Sequence, residues 1–352
     1  MSQQHFYQFV ADYVPSWRRS QLKILALCVG AMVLRRRCTL SALARGLPAT
    51  TSVHYRLKRL ARFVDNPRLD LLAGCKYLAG RAAQLKPDGW LPVLLDETGI
   101  RDRATLLSAV VPFRGRALPL GAIAFSPRLI KRSLWALREG LIACIRQGLG
   151  KHAQRLVVVA DRGFAASHFF RRLHLAKVHF VIRVSAKVYV QWSGLRTLLS
   201  QLELREGCHH WLPNVYYGPK RAPLNILIIW RKHYPQPWVL ASSLEDPAEV
   251  ERLYGLRMRI EAFFKDGKEY FGLEACQLHT GARICILAFA LSLAFWWLAL
   301  EAPLPPEWES QVRLRGKLSY LSLALEWLNS LALAQFFLSP AFSTPIRRRK
   351  SG

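Results

Sequence analysis

Between residues 90 and 185 the chain alternates short, nearly uninterrupted apolar runs with stretches whose apolar positions recur every three or four residues. LPVLLDETG is the first apolar run and ends near Asp96. TLLSAVVPFRGRALPLGAIAF predicts a hairpin turning at Arg114-Gly115-Arg116. RLVVVADRGF is a second apolar run ending in Asp161, and HFVIRV over 179–184 predicts another strand. Helical patterns near 133–148 and 167–176 separate them. Continuous apolar strands interleaved with helices predict an α/β core whose sheet is covered on both faces. From 186 to 245 the helical period fades, and VYVQW, LNILIIW and WVLASSL read as strands of a β-rich insertion. Pro247 then opens a long helical pattern, and the chain ends in helices and a basic tail.

Residues 1–88 have the helical period throughout, with 15 Lys and Arg against 4 Asp and Glu. Within them, TLSALARGLPATTSVHYRLKRLARFV predicts two short helices. Thr39 or Ser41 can cap the first, Gly46 and Pro48 end it, and Thr51 or Ser52 can cap the second. Helical spacing in the second turns Val53, Leu57, Leu60, Ala61 and Val64 inward and leaves Arg56, Lys58, Arg59 and Arg62 outside. This is the pattern of a helix-turn-helix whose second helix approaches DNA, and also of small helical domains with a basic face. The expected organisation is a helical region at 1–88, a core at 89–185 and 246–340 interrupted by the insertion at 186–245, and a tail at 341–352.

One run stands apart. Ile284–Leu300 is apolar except for Ser292, which is the lower limit of length for crossing a bilayer and equally the signature of a helix buried on all sides.

Composition narrows the function classes. The hydrophobic share of 51% excludes intrinsic disorder. The formal charge of +28 calls for a polyanionic partner, nucleic acid or an anionic membrane surface. The seven cysteines form no CxxC pair, so neither a zinc site nor a disulfide framework is suggested. The first residues show no secretory pattern, and together with unpaired thiols this leads to the expectation of a cytoplasmic, nucleoid-associated protein.

Asp96 and Asp161 each follow a predicted buried strand, where a carboxylate can hold Mg²⁺ or merely start a turn. A third carboxylate lies in ERLYGLRMRIEAFFKDGKEYFG. On a continuous helix Tyr254, Arg257, Glu261, Lys265 and Lys268 form one polar stripe beside the apolar Leu253, Leu256, Ile260, Phe263 and Phe264. Gly267 could interrupt it. Such a stripe suits a salt-bridged surface helix, and also a metal-dependent phosphoryl-transfer site.

Tyr254-x2-Arg257-x3-Glu261-x6-Lys268 resembles the Y-R-E-K signature of the IS4 family of DDE transposases. LLDETG around Asp96 and VVADRGF around Asp161 are similar to that family's first and second acidic motifs. The resemblance implies an RNase H-like catalytic core with a β-rich insertion and an N-terminal all-helical DNA-binding region. It implies that Asp96, Asp161 and Glu261 bind two Mg²⁺ or Mn²⁺ ions and cut and join DNA, by cut-and-paste, at inverted-repeat ends and target. It also implies that Tyr254, Arg257 and Lys268 grip phosphates and that the enzyme works as a homodimer on paired ends, away from membranes. In relatives a Trp at the position of Trp238 stacks on a flipped base; a packed strand tryptophan is the alternative here. Many relatives have Trp where this chain has Met258. The competing functional reading is a catalytically inactive or domesticated relative that binds end DNA as a regulator.

Overall fold

The computed structural model describes residues 3–126, 128, 131–202, 204–232, 234–302 and 320–330. The tail expected at 341–352 and part of the expected C-terminal helices lie outside the described residues.

Five helices lead the chain: α1 (Gln3–Asp12), α2 (Arg19–Arg35), α3 (Leu40–Gly46), α4 (Val53–Val64) and α5 (Leu71–Leu85). Their starts follow ordinary capping chemistry. Thr39, Ser52 and Asp70 cap α3, α4 and α5 by accepting from the amides of Ala42, Tyr55 and Ala73. The predicted pair of short helices is therefore present, with its expected caps.

A ten-stranded mixed sheet follows. Its strands are β1 (Leu91–Ile100), β2 (Ala104–Phe113), β3 (Arg116–Phe125), β4 (Leu156–Ala160), β5 (His179–Arg183), β6 (Tyr189–Trp192), β7 (Leu195–Leu198), β8 (His209–Tyr217), β9 (Ala222–Ile229) and β10 (Trp238–Ser242). They lie in the order β3-β2-β1-β4-β5-β10-β9-β8-β6-β7. β1, β4 and β5 run parallel, with α6 (Lys131–Leu149) preceding β4 and α7 (Ser167–Leu175) joining β4 to β5. All other pairings are antiparallel. This mixed α/β architecture is compatible with an RNase H-like DDE domain.

The segment expected as a β-rich insertion extends the core sheet, since β10 pairs with β5 and carries β9, β8, β6 and β7 onto it. It also contains β8 across HHWLPNVYY, with Pro213-Asn214 inside the strand. The ladder accommodates them as a bulge between Leu212 and Val215, with the Asn214 amide donating to Asn225 Oδ1 at 3.0 Å.

One expectation is corrected, that of a single helix after Pro247. It is two helices, α8 (Pro247–Gly255) and α9 (Met258–Glu269), and Gly267 lies inside α9 without breaking it. At Leu256-Arg257 the amides of Leu256, Arg257, Arg259 and Ile260 bond to carbonyls three residues back. Gly255, a poor helix former, sits at this tightened turn.

α10 (Gly281–Leu300) carries the apolar run, and α11 (Tyr320–Ser330) packs against it. α10 contacts α2, α4 and α5 on one side and β3 on the other, and its side chains from Ile286 to Ala299 are buried. Trp296 donates to the Pro119 carbonyl at 2.7 Å, and Ser292 satisfies itself on the Ala288 carbonyl. Among the described residues α10 is the one helix long and apolar enough to cross a membrane, and here the folded chain covers it.

Candidate active site

β1 and β4 lie side by side and parallel, so their C-terminal ends open at the same edge of the sheet. Asp96 stands where β1 turns from buried to half-exposed, one residue past the last β1–β4 pair, Leu95 with Ala160. Asp161 immediately follows Ala160. The two carboxylates are adjacent because the strands are in register, although 65 residues of chain separate their positions.

Asp161 also starts a turn: its Oδ1 accepts from the Gly163 amide at 2.8 Å. The turn-forming reading of this residue therefore holds, with its carboxylate beside Asp96 at the strand ends. Asp96 Oδ1 accepts from the Glu97 amide at 2.8 Å. Burial pushes the Asp96 carboxyl from 3.8 to about 6; the Glu97 amide opposes this, Asp161 adds to it, Arg257 opposes it and Glu261 adds to it.

Glu261, in the first turn of α9, reaches the same place through Arg257. The Arg257 guanidinium donates to Asp96 Oδ2 at 3.4 Å and to Glu261 Oε1. Arg257 and Tyr254 fall three apart across the tightened turn, where residues i and i+3 eclipse. Tyr254 is buried at 4% exposure; burial raises its phenol, with Arg257 and Arg183 pulling the other way. The continuous polar stripe predicted on one helix is thus replaced by a kinked pair of helices that brings Tyr254, Arg257 and Glu261 together. Lys268 lies two turns further along α9 and pairs with Glu274 at 2.8 Å, not with the carboxylates.

Trp238 opens β10 and is half-buried. Its ring meets Tyr254 edge-on, centroids 4.9 Å apart at 76°, and Tyr234 at 5.5 Å. These three rings line an open cleft of about 790 Å³ together with Arg183, Arg257 and Met258. Met258 is 57% exposed. A cleft of this size, aromatic on one wall and cationic on another, can take a nucleotide-sized group.

The donor set suits a hard divalent cation, since all three side chains offer carboxylate oxygens. The Asp96 carboxyl is lifted chiefly by burial, with Asp161 and Glu261 adding to it. Arg257 spans Asp96 and Glu261 in this arrangement, and among the described residues no three possible ligands stand around one point.

Sequence reasoning missed Arg138. This α6 residue is 5% exposed, and its guanidinium donates to Glu97 Oε1 at 2.7 and 2.9 Å and to the Gly163 carbonyl at 3.1 Å. Its charge also lies over the rings of Phe164, at 4.0 Å, and Trp135, at 4.5 Å. It thereby ties the residue after Asp96 to the turn that Asp161 caps. A single Arg inside an amphipathic helix gives no sequence signal of such a tie.

The helical region also departs from expectation. Arg56 is not on the outer face of α4: it is 9% exposed and donates to the Leu47 carbonyl in the turn between α3 and α4. Val53, expected inside, is 42% exposed, whereas Phe63 is buried and meets Trp17. Lys58 and Arg62 are exposed and Arg59 is half-buried. The inward face is therefore Arg56, Leu60, Phe63 and Val64.

No curated protein matches the chain. Residues 138–297, a stretch that includes Asp161 and Glu261 and begins beyond Asp96, match the family described as the transposase DDE domain, and this match supports a DDE transposase, an enzyme that acts on DNA.

Proposed function

We propose that the protein is an IS4-type transposase that cuts DNA at the inverted-repeat ends of its own element and joins them to a target by cut-and-paste. The observation that carries the reading is the double engagement of Arg257 with Asp96 and Glu261, with Asp161 on the neighbouring strand. Asp96 and Asp161 leave neighbouring strands side by side, and Arg257 links Asp96 to Glu261 of α9, which supports drawing the three carboxylates into one site once a divalent cation replaces the guanidinium.

Asp96, Asp161 and Glu261 are the residues that would hold two Mg²⁺ or Mn²⁺ ions. When bound, such ions polarise the phosphate and raise the acidity of the attacking water or 3′-hydroxyl. Arg257, displaced from the carboxylates, is positioned to hold a DNA phosphate, and the Tyr254 hydroxyl beside it to donate a hydrogen bond. Trp238 and Tyr234 offer rings on which a base drawn out of the duplex can stack. Lys268 would exchange Glu274 for a phosphate further along the strand. Lys58, Arg59 and Arg62 on α4 would approach the duplex inside the end, and two copies of the chain would hold two ends. Such an enzyme works in the cytoplasm, on the nucleoid.

The test is cleavage of a labelled duplex carrying the DNA that flanks the gene, in Mg²⁺ and in Mn²⁺, by wild type, Asp161→Ala and Glu261→Ala. Cleavage by wild type alone is the expected result. Equal cleavage by either variant removes the active-site assignment, and binding without cleavage by wild type establishes the non-cutting regulator instead.

A further inference from the structure

The far edge of the sheet carries a second basic and aromatic surface that the carboxylate site does not use. β6 and β7 form a tight hairpin turning at Ser193-Gly194, both with positive φ, and β6 pairs with β8. Register decides which side chains share a face. Gln191 lies opposite Arg196 on β7 and opposite Tyr216 on β8, so these three form a row, with Tyr189 two residues away on the same side. The opposite face presents Val190 and Tyr217, which are buried, and Tyr217 meets Phe170 of α7. One face of this ribbon is thus core, and the other is left to solvent.

The solvent face is organised. The Arg196 guanidinium lies over the Tyr189 ring at 4.3 Å, and that of Arg221 over the Tyr216 ring at 5.2 Å. These residues line a groove of about 580 Å³ in which, among the described residues, no acidic side chain takes part. Some arginines elsewhere, such as Arg138, Arg231, Arg252, Arg257 and Arg283, pair with carboxylates. Among the described residues Arg196 and Arg221 make no ion pair. Stacking on a ring fixes the plane of a guanidinium at little cost to its N–H donors, which remain directed outward. Two oriented, uncompensated forks on a flat polar face are complementary to successive phosphates of a nucleic-acid backbone.

The groove also has a fixed place relative to the carboxylates. Its Gly218–Arg221 wall is pinned to α7, since Arg171 donates to the Lys220 carbonyl at 3.1 Å and His174 bonds the Pro223 carbonyl. Gly218 packs so closely on Ser167 that a Cβ there would stand 3.0 Å from the serine Cβ. Ser167 is six residues past Asp161, a length of chain that spans at most about 20 Å. With roughly 3.4 Å of rise per base pair, the Gly218 wall of the groove, which touches Ser167, lies within about one turn of duplex of Asp161.

We propose that the Tyr189–Arg196 and Tyr216–Arg221 groove is a second DNA-backbone site, holding the duplex within one helical turn of the carboxylate centre. The inference rests on the transposase reading above and adds to it a contact made by the sheet extension, independent of sequence and dominated by phosphates.

The experiment measures binding of full-length protein to duplex DNA of about 40 base pairs over a range of salt concentrations, with wild type, the double variant Arg196→Ala/Arg221→Ala and the double variant Arg196→Lys/Arg221→Lys. The alanine pair is expected to lose about tenfold or more in affinity and to flatten the salt slope by about two, the value for two lost phosphate contacts. The lysine pair keeps the charges and is expected to fall between. Hydroxyl-radical protection of an end duplex is expected to disappear only within the first turn from the cut. Equal affinity and slope for wild type and the alanine pair overturns the groove and leaves the transposase reading standing. Wild type that fails to bind any duplex overturns the transposase reading itself. The side chains are exposed, so an unchanged melting temperature checks that each variant is folded.

Discussion

At the scale of single residues the site is held by charge placed against its own preference. Asp96 is lifted to about 6 mainly because it is buried, and Arg257 only partly offsets the crowding. The folded state then binds a proton more tightly than the unfolded state, so stability falls as pH rises from about 4 to 6 and stays low above that. At neutral pH the penalty is about 3 kcal/mol. Asp96→Asn is therefore expected to abolish cleavage while raising the metal-free melting temperature by about 4 °C at pH 7.5, with the gain vanishing toward pH 4. Asp266, lifted to about 6 by burial with Arg116 opposing, titrates in both proteins, so the difference between the two melting curves isolates Asp96. A gain that is constant across this range would mean that Asp96 carries no buried-charge penalty. Arg138 belongs to this scale too. Arg138→Lys keeps the charge and loses the fork that joins Glu97 to Gly163. The expected result is a tenfold or greater drop in cleavage rate with DNA affinity unchanged, because the residue positions the Asp161 turn and does not touch DNA. Loss of affinity in parallel with rate would point to general unfolding instead.

Among the elements, sequence patterns located strands and caps well and the orientation of helices less well. β1, the β2–β3 hairpin, β4, β5 and β10 fall where continuous apolar runs and turn residues put them. α4 starts at its predicted serine cap, yet its wheel is rotated. Hydrophobicity cannot foresee an arginine drawn inward to satisfy the Leu47 carbonyl, and Val53 stays out because it sits in the first turn of α4, where its side chain is left exposed. The helix carrying Glu261 shows the same limit. Its residue types and spacing were legible, but the i→i−3 turn at Leu256-Arg257 that stacks Tyr254 and Arg257 depends on packing against the sheet edge. The two roles on α4 separate cleanly by mutation. Arg56→Ala leaves a buried carbonyl without its donor and is expected to cost about 1–3 kcal/mol of stability. Lys58→Ala/Arg62→Ala is expected to leave the melting temperature unchanged and to weaken binding to end DNA. If thermal melting shows Arg56→Ala to be neutral, the buried fork is not holding the α3–α4 turn.

For the whole molecule the decisive element is α10, whose composition alone fits either a bilayer or a protein interior. Its environment is set by partners far away in sequence: Trp17 meets Phe289 at 6.0 Å, Tyr13 meets Trp296 at 6.1 Å, and Trp296 bonds the Pro119 carbonyl of β3. Phe289 also presses on Gly74 of α5 so closely that a Cβ there would lie 2.3 Å from the ring. No local pattern encodes such contacts, which is why the run by itself fits a bilayer as well as a protein interior. The same contacts make one cooperative body of the N-terminal helices and the sheet, since α10 is a wall of both cores. Phe289→Ala opens a cavity between α10, α5 and Trp17 and is expected to cost about 3–5 kcal/mol. Because the cavity lies at the junction, helix content by circular dichroism and tryptophan fluorescence are expected to fall in a single, coincident transition shifted to lower temperature. Separate transitions, with the helices lost first, would show that α1–α5 fold on their own and only rest against the catalytic sheet. A coincident transition would mean that the N-terminal helices and the carboxylate edge are held in register by α10, so that weakening this buried helix is expected to reduce end binding and cleavage together.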